Sequence, residues 1–310
     1  MRYETAGDPM SGLKWSKRTT RKIAEELASL NIIVSHKTVG KMLKQMGFSL
    51  RANQKQLMSG ATDSAQSRED RNLQFNYISE MREAYAKSGH PVISVDSKKK
   101  EMVGNFKNSG RTWDNTPVLV NDHDFRSDAT GMAVPYGIYD TQANRGKIVV
   151  GISSDTPAFA VSAITQWWKN EGVRRYSKAR KLLILADSGG SNGARPRGWK
   201  YYLQHKLCDR SHLEVTVCHY PTGTSKWNPI EHRLFSEISK NWAGKPLDSY
   251  ETALKYIRTT RTTSGLKVTA QLDTKTYLKG ETFSDNEMDE LALVRHDTLP
   301  KWNYSLHPRQ

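Results

Sequence analysis

The 310-residue chain has only two cysteines, Cys208 and Cys218, and they form no CxxC pair. That scarcity excludes a disulfide-stapled scaffold and fits isolated buried thiols in a reducing, cytoplasmic compartment. A zinc site from Cys208, His212, Cys218 and His219 would lack any recognised ligand spacing. No apolar run is long enough to cross a bilayer, and no signal peptide opens the chain. The glycine-rich stretch GGSNGAR does not end in Gly-Lys-Ser/Thr, which excludes a Walker-type nucleotide site. Acidic residues are also in short supply: 32 Asp and Glu stand against 47 Lys and Arg, a net charge of +15, with a pI near 9.7. Such an excess selects a polyanionic partner, nucleic acid before membrane. With 36% hydrophobic and 25% charged residues, the composition is that of a globular protein.

What is present centres on KLLILADSGGSNG, residues 181–193. Its apolar run is continuous rather than alternating, which predicts a strand buried on both faces of an α/β sheet. Asp187 ends that strand, where open α/β sheets place ligands, although Asp, Ser, Gly and Asn are also ordinary turn residues. VISVD, residues 92–96, repeats the pattern and ends in Asp96. WNPIEHRLFSEISKNW, residues 227–242, predicts a helix with Asn228 as N-cap and Pro229 at the first position. Ile230, Leu234, Phe235, Ile238 and Trp242 form its apolar stripe; Glu231 lies on that stripe and Glu237 does not. Glu231 has two readings, a capping glutamate or a member of a three-carboxylate site. Carboxylates in such a set are suited to Mg²⁺ or Mn²⁺, and two such ions can assist phosphodiester displacement.

Several stretches together resemble the ISAzo-type family of DDE transposases from bacterial insertion sequences, distantly mariner-like members of the RNase H-like integrase superfamily. They are PVISVDSKKKEMVGNFKNSG, HDF, PYGIYD, LLILADSGGSNG, VCHYPTGTSKWNPIEHRLFS, NWAGKPL, GLKV and WNYSLHP, and they cover nearly the whole chain from about residue 8. The resemblance implies that Asp96, Asp187 and Glu231 are the catalytic, metal-holding DDE residues, with two Mg²⁺ or Mn²⁺ ions as cofactors. It further implies double-stranded DNA, as element ends and target, for a partner, a homodimer or higher oligomer on that DNA, and a nucleoid-associated location. By the same resemblance, water attacks the end phosphodiester and the freed 3′-hydroxyl then attacks target DNA. Members of the family usually carry more helix-turn-helix material at the amino terminus, so a truncated copy or a misassigned start is expected. The alternatives are a non-transposing DNA-binding regulator and a metal-dependent nuclease that cuts without joining.

The expected fold class is α/β, a mixed five-stranded RNase H-like sheet flanked by helices, preceded by a small all-α helix-turn-helix domain. The boundaries read 1–50 for the helix-turn-helix, 51–69 for a linker, 70–245 for the catalytic domain and 246–310 for an extension packed on it. In the first region Ile23, Ala24, Leu27 and Leu30 mark one helix face, and Val39, Leu43 and Met46 the next. Asn31 to Val34 form the turn between them, Ser35 caps the second helix and Gly47 ends it. Residues 14–51 hold nine Lys and Arg against two acids. His36, Lys37, Lys41 and Lys44 fall on the exposed side, available to DNA. Leu73, Tyr77, Ile78, Met81 and Tyr85 mark the inner face of a helix leading to the Asp96 strand. Lys98, Lys99 and Lys100 are either phosphate contacts or a solvated hairpin edge, and Ser225 and Lys226 suit a phosphate path beside the Glu231 helix. The pattern leaves the role of the WNYSLHP tail open.

Overall fold

The structure, a computed structural model, describes residues 5–7, 14–16, 19–49 and 65–309. The chain divides into two compact units, Met1–Leu57 and Met58–Gln310.

The first unit holds strands β1 (Thr5–Gly7) and β2 (Lys14–Ser16) and helices α1 (Thr20–Ser29) and α2 (His36–Gln45). Ser35 caps α2 by accepting from the Thr38 amide at 3.1 Å. Asn31, at φ 63°, turns the chain out of α1, and Gly47, at φ 81°, turns it out of α2. Ile23 and Val39 are buried, as the periodicity requires, whereas Leu30 and Met46 are 69% and 68% exposed. Both sit at the C-terminal caps of their helices, where the apolar stripe has run past its partner. The unit is also not all-helical, because β1 pairs antiparallel with β2, and three-residue strands are too short to show a period. Of the expected linker, 51–64 lie outside the described residues, and 65–69 are already helical.

The second unit opens with α3 (Ala65–Lys87), then β3 (Val92–Ser97), β4 (Glu101–Val103), and the hairpin of β5 (Gly131–Asp140) and β6 (Arg145–Gly151). Helix α4 (Pro157–Trp167) runs through a π turn at Trp168–Gly172 into α5 (Val173–Arg175), and β7 (Lys181–Asp187) follows. Helix α6 (Arg197–Tyr202) likewise continues through a π segment, Leu203–Cys208, into α7 (Asp209–Ser211), which leads to β8 (Glu214–Tyr220). A π turn at Glu231–Phe235 leads into α8 (Ser236–Asn241). The chain ends with α9 (Tyr250–Thr259), β9 (Lys267–Asp273), α10 (Asp285–Asp289), β10 (Leu293–Arg295) and β11 (Asn303–Leu306).

The result is the expected mixed sheet flanked by helices, with more strands than the five read from the pattern. Its order is β10-β11-β8-β7-β3-β5-β6-β9, with β4 paired to β5. Five central strands run from β8 to β6, and β9 and β11 flank them on either side. Tail residues Asn303 to Leu306 thus have a structural place, hydrogen-bonded antiparallel to β8. Strand β7 lies between two parallel neighbours, β3 and β8. Leu182, Ile184 and Ala186 face the core built with α4 and α6, and Leu183 and Leu185 face the core built with α3. Each fully buried Leu or Ile contributes about 1.5–3 kcal/mol, which explains why this strand is apolar at consecutive positions.

Trp167 and Trp168, at the end of α4, lie in the core. Leu73, expected to face inward on α3, is 50% exposed, and the neighbouring Gln74 is fully buried instead. The Gln74 amide donates to the His219 carbonyl at 2.9 Å and to Asn303 Oδ1 at 2.7 Å, while Asn303 Nδ2 donates back to Gln74 Oε1 at 2.6 Å. A buried amide so fully partnered is stable in the interior, and it rotates the helix away from the hydrophobic count.

At the far end of the hairpin, Asp140 has no side-chain exposure and lies 2.8 Å from Arg175. Tyr176 donates its hydroxyl to the same carboxylate at 2.8 Å. Arg175→Met leaves a buried carboxylate without its counter-charge and is expected to lower unfolding free energy by about 3 kcal/mol in urea titration. A loss below about 1 kcal/mol would show that Tyr176 and the backbone amides suffice.

Candidate active site

Asp96 and Asp187 come from adjacent parallel strands whose register pairs Val95 with Ala186, so their carboxylates leave the sheet side by side. The third acid arrives by close helix packing. Gly137 of β5 stands opposite Asp96, and a methyl group there would overlap Phe235 and Ile230. Glycine at that position lets the helix bearing Glu231 settle on the sheet. The stripe Ile230, Leu234, Phe235, Ile238 and Trp242 is buried as expected, and Glu237 points away to pair with Lys240.

Asn228 conforms to the N-cap expectation in its extended backbone but not in its side chain. Its Nδ2 donates to Asp187 Oδ1 at 3.0 Å and to the Val95 carbonyl at 3.4 Å, and its Oδ1 accepts from the Ser94 hydroxyl. Ser94 Oγ in turn accepts from the Ile230 amide at 3.1 Å. The capping reading of Glu231 also fails, because the Asn228 amide donates to the Ser225 carbonyl at 2.9 Å.

Electrostatics bind the acids into one group. Burial, then the adjacent Asp187 carboxylate, then Glu231 and Asp155, push the Asp96 carboxyl up to about 8, against a Ser97 amide that donates to it at 2.8 Å. Asp187 is raised by burial and by Glu231, and held back by the Asn228 hydrogen bond. A pocket of about 390 Å³ opens over the strand ends, bordered by Asp96, Asp187, Asp155, Asn192 and Ser225. Asp155 precedes α4, whose N-cap is Thr156, and it accepts from Ser97 Oγ at 3.0 Å. Nothing in the chain order marks it; only the sheet order sets the end of β6 near the end of β3.

This donor set fits a hard divalent cation such as Mg²⁺ or Mn²⁺. It consists of carboxylate oxygens, half-buried and mutually repelling, with no Lys or Arg among the groups that shift them. Among the described residues no three acid, His or Cys side chains close on one point as a preformed cage would. Mg²⁺ does not need such a cage, since it takes one or two carboxylates and completes its shell with water and substrate phosphate.

The basic candidates divide. Lys98 is withdrawn from the proposed phosphate path: its Nζ lies 3.0 Å from Glu101 Oε1 and 4.6 Å from the Trp242 ring centroid. Lys99, Lys100, Ser225 and Lys226 are exposed, and Ser225 borders the pocket. In the amino-terminal unit His36, Lys37, Lys41 and Lys44 are all exposed on α2. The two thiols are buried and free, and burial pushes both up to about 12, so neither is poised as a ligand or nucleophile. Among the described residues no helix is long and apolar enough to cross a membrane.

A mixed sheet with acids at the ends of two adjacent parallel strands, and a third brought in by a later helix, defines the DDE class of transposase domains. The chain belongs to one such family, the Rhodopirellula transposase DDE domain, which it matches over residues 1–308. No curated protein matches it. Among solved structures it is similar to the Mos1 transposase paired-end complex with left transposon end, at 17% identity and a TM-score of 0.45. It is also similar to the Mos1 mariner paired-end complex with Mn, at 18% identity and a TM-score of 0.46. Both alignments cover 77% of this chain and 65% of the Mos1 chain, just under two-thirds of the latter's length.

The raised carboxylates make metal-free stability depend on pH. Asp96 titrates near 8 when folded and near 3.8 when unfolded, so folding takes up a proton and stability falls as pH rises between those values. Metal-free Asp96→Asn is therefore expected to melt close to wild type at about pH 4 and above it at about pH 9. Millimolar Mn²⁺ should raise the wild-type melting temperature more than the variant's. A variant that melts below wild type at about pH 9 would contradict this electrostatic account.

Proposed function

We propose that the chain is a DNA transposase that cleaves at the ends of its element and joins them to target DNA. The observation that carries this reading is the pairing of Asp96 and Asp187 at the ends of adjacent parallel strands beside an open pocket, with Glu231 on the facing helix close enough to raise both. Two Mg²⁺ or Mn²⁺ ions, when bound there, would supply Lewis-acid activation of the attacking and leaving oxygens. Asp96 and Asp187 would hold metal from the sheet and Glu231 from the facing helix. Asn228 aims Asp187 and opposes the rise in its pKa, and Asp155 accepts from Ser97 at the pocket wall. In hydrolysis water attacks the phosphodiester and the 3′-oxygen leaves; in joining that 3′-hydroxyl attacks a target phosphodiester and a new 3′-oxygen leaves. Neither step calls for a covalent protein intermediate.

On this reading Asp96→Asn, Asp187→Asn and Glu231→Gln each abolish cleavage of a supercoiled plasmid carrying the DNA that flanks this coding sequence. Glu237→Gln, paired on the helix's outer side, stays near wild type. A cleavage rate within about tenfold of wild type, about 1.4 kcal/mol of barrier, would remove that residue from the assignment. The regulator reading predicts binding with no cutting by wild type, and the nuclease reading predicts nicks with no joined product.

End recognition is assigned to α2, whose His36, Lys37, Lys41 and Lys44 are exposed. Changing Lys37, Lys41 and Lys44 together to Ala should weaken DNA binding and lower the logarithmic salt slope by about 0.9 for each phosphate no longer neutralised. An unchanged slope in fluorescence anisotropy across a salt series would mean that other residues neutralise the phosphates.

A further inference from the structure

The loop after Asp187 is wound to turn one side chain inward. Gly190 takes φ 75°, and Gly193 leaves no room for a side chain, since a Cβ there would lie 2.7 Å from the Ser188 carbonyl. The Gly193 amide donates to the Gly190 carbonyl and the Ala194 amide to the Ser188 carbonyl, each at 3.2 Å, which closes the turn on itself. Between these points Ser191 and Asn192 are driven under the surface, Asn192 to 1% exposure. Ser191 Oγ comes within 3.5 Å of Ser97 Oγ. Asn192 finds no such neighbour: neither Oδ1 nor Nδ2 has a hydrogen-bond partner, although the residue borders the pocket of Asp96, Asp187 and Asp155.

A primary amide shielded from water with its donors and acceptor unused bears an uncompensated desolvation cost. A leucine of similar size would fill the same space without that cost, so the amide's partner is to be sought in what enters the pocket. Three carboxylates, acceptors only, face the space; the hydroxyls of Ser97 and Ser188 already donate, to Asp155 and to the Tyr220 carbonyl, and those of Thr222 and Ser225 sit at the exposed rim. An entering phosphodiester brings more acceptor oxygens and negative charge. Below that rim the Asn192 amide is an N–H donor still unused.

We infer that Asn192 is a substrate-contacting residue, its Nδ2 donating to a non-bridging oxygen of the phosphodiester that enters this pocket. The inference rests on the reading of the site as a phosphodiester-cleaving centre. Asn192 touches the substrate rather than the ions, so its removal separates catalysis from both folding and metal binding.

The test uses the full chain with Asn192→Leu, and Asn192→Ala as a second variant without added branching. Three quantities are read: metal-free melting temperature, Mn²⁺ affinity by electron paramagnetic resonance, and the single-turnover rate of Mn²⁺-dependent nicking of supercoiled plasmid. The expected result is melting within about 2 °C of wild type or above it. Mn²⁺ affinity should be unchanged and nicking about 100-fold slower, the effect typical of removing one donor from a developing oxyanion. Nicking within about threefold of wild type would overturn the inference. A drop of more than about 5 °C in both variants would overturn it in favour of a structural amide. A Mn²⁺ affinity about tenfold weaker would make Asn192 a metal ligand instead. If wild type itself fails to nick, the reading of the site falls and takes the inference with it, an outcome distinct from an active wild type with active variants.

Discussion

Asn228 is the constraint on which the site depends. Fully buried, it joins the strand of Asp96 through Ser94 and Val95, the strand end at Asp187, and the start of the helix that bears Glu231. Like-charged carboxylates repel, so they do not assemble unaided; something neutral must hold their carriers together. An amide does this without adding charge, giving a donor to the carboxylate and an acceptor to the serine. Ser94 completes the clamp by accepting from the Ile230 amide, which ties the helix's first turn directly to the central strand.

A second polar assembly braces the strand on the other side of Asp187. His219, fully buried on β8, donates from Nδ1 to the Asp187 carbonyl at 2.9 Å and accepts at Nε2 from the Tyr304 hydroxyl at 3.2 Å. Burial lowers its pKa to about 4, which keeps the ring neutral and makes this tautomer consistent with both bonds. Asn303, beside Tyr304 on β11, pairs with Gln74 of α3. The last strand of the chain thereby links the first helix of its unit to the backbone behind Asp187. Buried networks of this kind favour one arrangement when every member is satisfied, and here the unsatisfied amide lies in the pocket rather than in the brace.

Charge is distributed with the same economy. The chain is strongly basic as a whole, yet the groups that shift Asp96 and Asp187 include no cation. Lys98, only two residues beyond Asp96, is turned away to Glu101 and Trp242. A lysine among the carboxylates would neutralise them and compete with divalent metal. Kept on the exterior, as at Lys99, Lys100 and Lys226, positive charge attracts a polyanion without neutralising the carboxylates.

The sequence by itself determined the elements that local chemistry controls. A short consecutive apolar run that ends in turn residues suits a doubly covered strand, so β7 and the position of Asp187 at its end were legible. So was the Glu231 helix, whose five-residue stripe is buried throughout. Caps at Ser35 and the turn at Gly47 follow from backbone preferences of single residues. Tertiary structure decided what depends on partners distant in the chain. Gln74 displaced Leu73 from the interior because Asn303, 229 positions away, completes its hydrogen bonds. Asp155 joined the site because sheet order, not chain order, sets the end of β6 near that of β3. Asn228 carries the same local signal whether its side chain caps a helix or turns into the sheet. A short polar residue at a helix start satisfies nearby amides by default, and only the arrival of Ser94 and Asp187 at hydrogen-bonding distance makes the other choice the better one.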